Sequence, residues 1–183
     1  MILPIFAYGS KVLRKRAEEV SDNYPQLNEL VENMWATMYH AQGVGLAAPQ
    51  VGHSIRIFIL DTEQLKKEED SEAGLKQVFI NPRKIEESGE EWTYEEGCLS
   101  IPNIRGDVDR SEQVKISYLD NEFVPHTKVF RGINARVIQH EYDHLEGILF
   151  TQHLKPVKRR LIKRKLDNIK KGDVEVDYPM VFV

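Results

Sequence analysis

A single cysteine, Cys98, stands among the 183 residues of this chain, so no disulfide can form within it. A lone thiol suits a reducing compartment, and the cytoplasm is the expectation. Long apolar runs are missing as well: none approaches the ~20 residues of a membrane-spanning helix, which excludes helical insertion into a bilayer. The N-terminus, MILPIFAYGSKVLRK, is apolar first and basic later, the wrong order for a secretory signal. No transit peptide is visible, which favours a bacterial cytoplasm. There is also no internal repeat.

What is present fits one globular domain spanning residues 1–183. Hydrophobic residues make up 41% and charged ones 30%, a balance that excludes a disordered chain. Charge is unevenly placed. From Lys155 to Lys171 nine Lys and Arg face one acid, Asp167, a local +8; the whole chain stands at −4, so the remainder carries −12. A basic element of this kind, continuing into a tail over about 155–183, suits a polyanionic partner or a solvated helix.

Leu27, Leu30, Val31, Met34 and Met38 recur at spacings of three and four, which predicts an amphipathic helix over 26–41, stopping at Gly43. IRIFIL (55–60) reads as a strand. QVFINP, EEWTYEEG, QVKISYL and EFVPHTKVFR read as further strands, with Asp120-Asn121 as the turn between the last two. The charged stretch 63–76 reads as a surface loop. Residues 132–146 are predicted helical, ended by Gly147, and a second basic helix starts at Pro156. The final VDYPMVFV has no evident place. This order favours an α+β fold. A mostly antiparallel sheet would pack around a central helix, with an N-terminal and a C-terminal helix beside it.

The central helix carries the chemistry. QHEYDHLEG (139–147) contains His140, Glu141 and His144 as H-E-x-x-H, two potential metal ligands with a general base between them. At ~100° per residue the three share one face with Ile133 and Val137, while Ile138, Tyr142 and Leu145 form an apolar back. Arg136, Gln139, Asp143 and Glu146 form a polar stripe that reads as a narrow wet edge. A catalytic metal site needs a third protein ligand. The metzincin continuation fails, because Phe150 stands where its histidine would be. A downstream glutamate would have to be Glu175, in the tail. Cys98, in EEGCLSIP, is the better candidate, since a thiolate and two imidazoles suit zinc or ferrous iron. GVGLAAPQVG (43–52) fits a relaxed dinucleotide fingerprint on paper, but a helix precedes it and a strand follows, the wrong context. Its Gln50 offers an amide that can donate to an oxyanion, and its glycines allow close approach to a ligand.

GVGLAAPQ (43–50), EEGCLS (95–100) and QHEYDHLEG, in that order and spacing, resemble the three signature motifs of peptide deformylases. The resemblance implies removal of the formyl group from the N-terminal formyl-methionine of new polypeptides. It implies that Cys98, His140 and His144 hold one divalent metal, with Glu141 as proton carrier and Gln50 and the Leu99 N–H as oxyanion donors. Substrate would lie extended against Val44, Gly45 and Gly97, near Arg105, with its methionine in an apolar pocket at Ile133 and Val137. Family likeness implies Fe²⁺ in the cell, with Zn²⁺ or Ni²⁺ admissible in purified protein; a monomer is the expectation. Some bacterial relatives dock on the ribosome through a C-terminal helix, and residues 155–171 are the matching element. Two alternatives stay open: an H-E-x-x-H endoprotease with a glutamate ligand, and an RNA-associated binding protein.

Overall fold

The computed structural model describes residues 1–65 and 72–183. Its elements are β1 (Ile5–Phe6), α1 (Leu27–His40), β2 (Gly45–Ala47), β3 (Ile57–Asp61), β4 (Lys76–Cys98), β5 (Ile101–Leu119), β6 (Pro125–Arg131), α2 (Gly132–Leu145), α3 (Pro156–Lys170) and β7 (Met180–Val181). Five strands form an antiparallel sheet in the order β2-β3-β4-β5-β6, and β1 pairs with β7 in a separate parallel pair. The expected α+β arrangement is therefore what the chain adopts.

The two faces of β3 explain why its residues Ile57, Phe58, Ile59 and Leu60 are all apolar. Alternate side chains point to opposite faces of a strand. Ile57 and Ile59 join the apolar group that buries Leu30, Val31, Met34 and Met38 of α1. Phe58 and Leu60 join the group that holds Ala135, Ile138 and Leu145 of α2. One helix thus covers each face, and α2 lies centrally. A third apolar group joins Ile104 and Val108 of β5 to Ile162, Leu166 and Ile169, the inner stripe of α3.

Three expectations need correction. QVFINP and EEWTYEEG are not separate strands but parts of the 23-residue β4. Asn81 and Pro82 look like a stop, yet register shifts between Ile80 and Arg83, Lys84 and Glu86, and Ser88 and Glu91 absorb the irregularity, as β-bulges do. The polar stripe of α2 is not a wet edge either: Arg136 is 1%, Gln139 2% and Asp143 7% exposed. Gln139 donates to the Ser111 and Ala135 carbonyls, and Arg136 and Asp143 join a buried charge network. Finally, α1 runs from Leu27 to His40, one residue shorter at each end than the expected 26–41, and Gln42 takes the left-handed conformation (φ 57°) before the chain enters β2. Of the charged stretch 63–76, residues 66–71 lie outside the described residues; Glu63 to Leu65 belong to a 3-10 turn. The tail that the sequence leaves unplaced enters the structure through β7.

Candidate metal centre and substrate cleft

Helix α2 begins where Gly132 takes φ 57° and ends just before Gly147, φ 73°. Between them the i, i+4 spacing turns His140 and His144 toward the end of β4. There Cys98 pairs with Ile101 across the two-residue turn Leu99–Ser100. The result is a cluster in which one donor atom each from Cys98, His140 and His144 lies within 4.8 Å of the others. Cys98 Sγ is 3.4 Å from His144 Nε2. A tetrahedral ion with bonds of about 2.0 Å to nitrogen and 2.3 Å to sulfur separates such donors by roughly 3.3–3.6 Å. The donor set therefore fits a single metal ion in both chemistry and spacing.

A buried charge network orients the cluster. His140 Nδ1 lies 2.8 Å from Glu96 Oε1, so the imidazole that donates there keeps Nε2 free for a metal. Glu96 is saturated: Arg110 donates to both of its oxygens, at 2.8 and 3.1 Å, and Arg136 donates to Oε2 at 2.8 Å. Arg110 also donates to Asp143 Oδ2 at 2.9 Å, and His153 Nε2 lies 2.8 Å from the same atom. Burial opposes the charge on Glu96, but its bonds to His140 and Arg110 prevail and hold its carboxyl well below the usual range. On His140, too, burial opposes charge, yet hydrogen bonds to Cys98 and Glu96 raise its proton affinity well above the ordinary value. His144, buried beside His140, is pushed down to about 3 and stays neutral, the form that binds metal.

Glu141 is buried, and its Oε2 has no hydrogen-bond partner among the described residues. Burial pushes its carboxyl up to about 7, the range of a general base working near neutral pH. Its other oxygen presses on Gly45: a Cβ at that position would overlap Glu141 Oε1 and come within 2.8 Å of its Cγ and Cδ. Glycine at 45 is thus required by close approach rather than by backbone strain.

Gln50 belongs to a 3-10 turn, Ala48–Val51, and is 2% exposed. Its Oε1 accepts the Ala47 N–H at 2.9 Å, which fixes the amide orientation, since a backbone N–H can only donate. Its Nε2 therefore faces the cluster, 3.5 Å from Cys98 Sγ and 3.3 Å from Ser100 Oγ. The Leu99 N–H donates to no backbone or side-chain group among the described residues.

A cleft of about 960 Å³ opens over this cluster. Val44, Gly45, Gly97, Arg105, Ile133 and Val137 all line it, beside Cys98, Leu99, His140 and Glu141. Arg105 is held at the rim by Glu95, whose Oε1 accepts its Nε–H at 3.1 Å. Gln50 and His144 are buried at the base of the cleft, each with a nitrogen next to the Cys98 thiol. Sequence reasoning missed Glu96, although the signal was there: residues 96 and 98 share one face of a strand. It also missed Arg110 and the tail residues Val176, Asp177 and Tyr178; these three complete the cleft with Glu175, which the sequence offered only as a less favoured metal ligand.

A family model for polypeptide deformylases matches residues 2–160. The chain belongs to the peptide deformylase family. It is 53% identical to a peptide deformylase of Christiangramia forsetii, over all of this chain and 96% of that protein. A peptide deformylase of Flavobacterium johnsoniae is 51% identical over the same shares. Among solved structures, a peptide deformylase from Legionella pneumophila superposes with a TM-score of 0.82 at 39% identity, covering 94% of this chain and 98% of that one. One from Plasmodium falciparum does so at 0.82 and 38%, covering 92% and 95%. The family is one of formyl-removing hydrolases, and the Cys-His-His cluster agrees with the single metal ion that it implies. The endoprotease and RNA-binding alternatives find no support. No helix among the described residues is long and apolar enough to cross a membrane.

Proposed function

We propose that this chain, working as one domain over residues 1–183 and as a monomer, hydrolyses the formamide of formyl-methionyl peptides at the Cys98–His140–His144 centre. The observation that carries this reading is the junction of three separate motifs in one cleft: the thiol and imidazoles at metal-ligand spacing, the partnerless Glu141 carboxylate, and the Gln50 amide fixed with its donor side inward. Cys98, His140 and His144 hold the ion, and Glu96 keeps the His140 ring oriented. When bound, the metal supplies Lewis acidity that makes hydroxide available near neutral pH.

Peptide enters extended between the Val44–Gly45 segment and the Gly97 stretch, with the methionine side chain against Ile133 and Val137. Burying that side chain contributes roughly 1.5–3 kcal/mol, enough to favour methionine without excluding similar unbranched chains. Glu141 takes the proton of the attacking water and delivers it to the departing amine. As the formyl carbon becomes tetrahedral, its oxygen gains charge, and the Gln50 Nε2–H and Leu99 N–H donate to it. Products are formate and a free N-terminal amine.

Fe²⁺ is the expected metal in the cell, with Zn²⁺ or Ni²⁺ able to occupy purified protein. A ferrous–thiolate site is oxygen-sensitive, because iron and Cys98 can both be oxidised. The work is placed in a bacterial cytoplasm. Arg105 stands near the bound peptide. The basic helix, residues 155–171, is assigned to docking on ribosomal RNA phosphates, where formylated N-termini emerge.

The test is formate release from formyl-Met-Ala by anaerobically purified protein, with metal content measured on the same sample. Cys98→Ser should abolish both metal retention and turnover. No release with iron, nickel or zinc would overturn the proposal.

A further inference from the structure

The turn that carries the Leu99 N–H is pinned from outside by the two ends of the chain. Its two central carbonyls each have a partner: the Ser100 oxygen accepts the Tyr8 N–H at 2.8 Å, and the Leu99 oxygen accepts the Tyr178 hydroxyl at 2.8 Å. Tyr8 follows β1 and Tyr178 precedes β7, and these two strands pair with each other. Tyr178 and Leu99 also pack against the same apolar group beneath α1. The tail is anchored without the tyrosine hydroxyl. Ile5 N–H donates to Pro179, Ala7 N–H to Val181, and the Asn103 amide to the Glu175 carbonyl, at 2.9, 2.8 and 3.1 Å. The hydroxyl thus has nothing left to hold except the Leu99 peptide group.

We propose that Tyr178 is a positioning residue for the hydrolytic reaction. By holding the Leu99 carbonyl, its hydroxyl fixes the turn so that the Leu99 N–H faces the oxygen that becomes negatively charged. This rests on the assignment of the Leu99 N–H as an oxyanion donor. Tyr178 lines the cleft, but its hydroxyl is spent on the Leu99 carbonyl. Its effect comes through the Leu99 Cα: fixing the Leu99–Ser100 peptide restrains the φ and ψ that orient the preceding peptide and its N–H. A donor displaced by a few tenths of an ångström loses most where charge develops and little in the ground state. The kinetic signature is therefore a loss in kcat with KM preserved.

The experiment compares Tyr178→Phe with a Leu99 amide-to-ester replacement, which removes the N–H, and with both together, all as full-length metal-loaded enzyme. The ester should lower kcat about a hundredfold and Tyr178→Phe about five- to twentyfold, with KM within about twofold. Metal content and Tm of Tyr178→Phe should match the parent. In the ester background Tyr178→Phe should cost nothing further, since the donor it positions is gone. Tyr178→Met, which refills the volume without a donor, repeats the test should the phenylalanine variant fold poorly. An unchanged kcat in Tyr178→Phe with a slow ester overturns the proposal and leaves the oxyanion assignment standing. No cost from either change removes the assignment, and the proposal with it. Independent, additive losses, a rise in KM alone, or a joint fall in Tm and metal content each overturn the positioning role.

Discussion

Helices α2 and α3 are nearly the same length, 14 and 15 residues, and use their charged side chains in opposite ways. On α2, Arg136, Glu141 and Asp143 are buried, and both Arg136 and Asp143 are tied into the Glu96–Arg110 network. On α3, only Ile162, Leu166 and Ile169 are buried, and the basic residues face solvent. A sequence-level wheel sees two amphipathic helices. The difference lies in what covers the polar side: β4 and β5 bring complementary charge to α2, whereas the solvent-facing side of α3 meets no such partner among the described residues. Fixed charge in a water-poor setting acts strongly over ångströms. Solvated charge acts weakly and over a distance set by salt. If this contrast is right, changes on the face of α2 alter chemistry or metal, and changes on α3 alter neither.

The largest effect belongs to Glu141. Glu141→Gln keeps the shape against Gly45 but removes the proposed base, so kcat should fall about 10²- to 10⁴-fold. Metal content, measured by plasma emission, should stay at the parent value. Next comes Gln50→Ala, which removes one proposed oxyanion donor and should lower kcat about 10²- to 10³-fold. It also strips the buried Ala47 N–H of its acceptor, a loss of about 1–3 kcal/mol in urea unfolding. A kcat loss as large as that of Glu141→Gln, with metal lost as well, would mean that Gln50 supports the metal rather than the oxyanion.

Glu96→Ala probes the network itself. Two arginines lose their shared carboxylate and His140 loses its orienting acceptor. Metal affinity should weaken about 10- to 100-fold, and the uncompensated buried charge should cost about 3–5 kcal/mol of stability. Competition with a chelator and denaturant titration measure the two separately. A variant that loses neither would show that the α2 charges are no more consequential than those of α3.

These residues also mark how far the sequence can be read. His140, Glu141 and His144 sit within five positions, and helical geometry alone brings them together. Cys98 and Gln50 require motif spacing, since the chain between them is a set of strands whose register no local pattern dictates. Glu96 shares a strand face with Cys98, so period two is enough to find it. Arg110 and Tyr178 cannot be found that way: their partners depend on the β4–β5 register and on where the tail lies. The stripe on α2 misleads for the same reason. A wheel records polarity, while burial depends on whether another element supplies the opposite charge. The split drawn between QVFINP and EEWTYEEG fails because bulges let one strand carry both segments.

The smallest effect should come from α3, and it tests the other half of the contrast. Val157 and Leu161 are 68% and 72% exposed and are flanked by Lys158, Arg159 and Arg160. Replacing Lys158, Arg159 and Arg160 with Gln removes three positive charges without touching the inner stripe that packs on β5. Turnover of a formyl-Met dipeptide should stay within about twofold and Tm nearly unchanged, because surface charges away from special features contribute little. Ribosome binding, followed against salt, should weaken, and the slope of log K against log salt should become shallower by roughly 0.7–0.9 for each phosphate no longer neutralised. Dipeptide and ribosome readouts thus separate the two helices. A drop in dipeptide turnover would mean that α3 charge reaches the cleft, and an unchanged salt slope would mean that its basic face is solvated and nothing more.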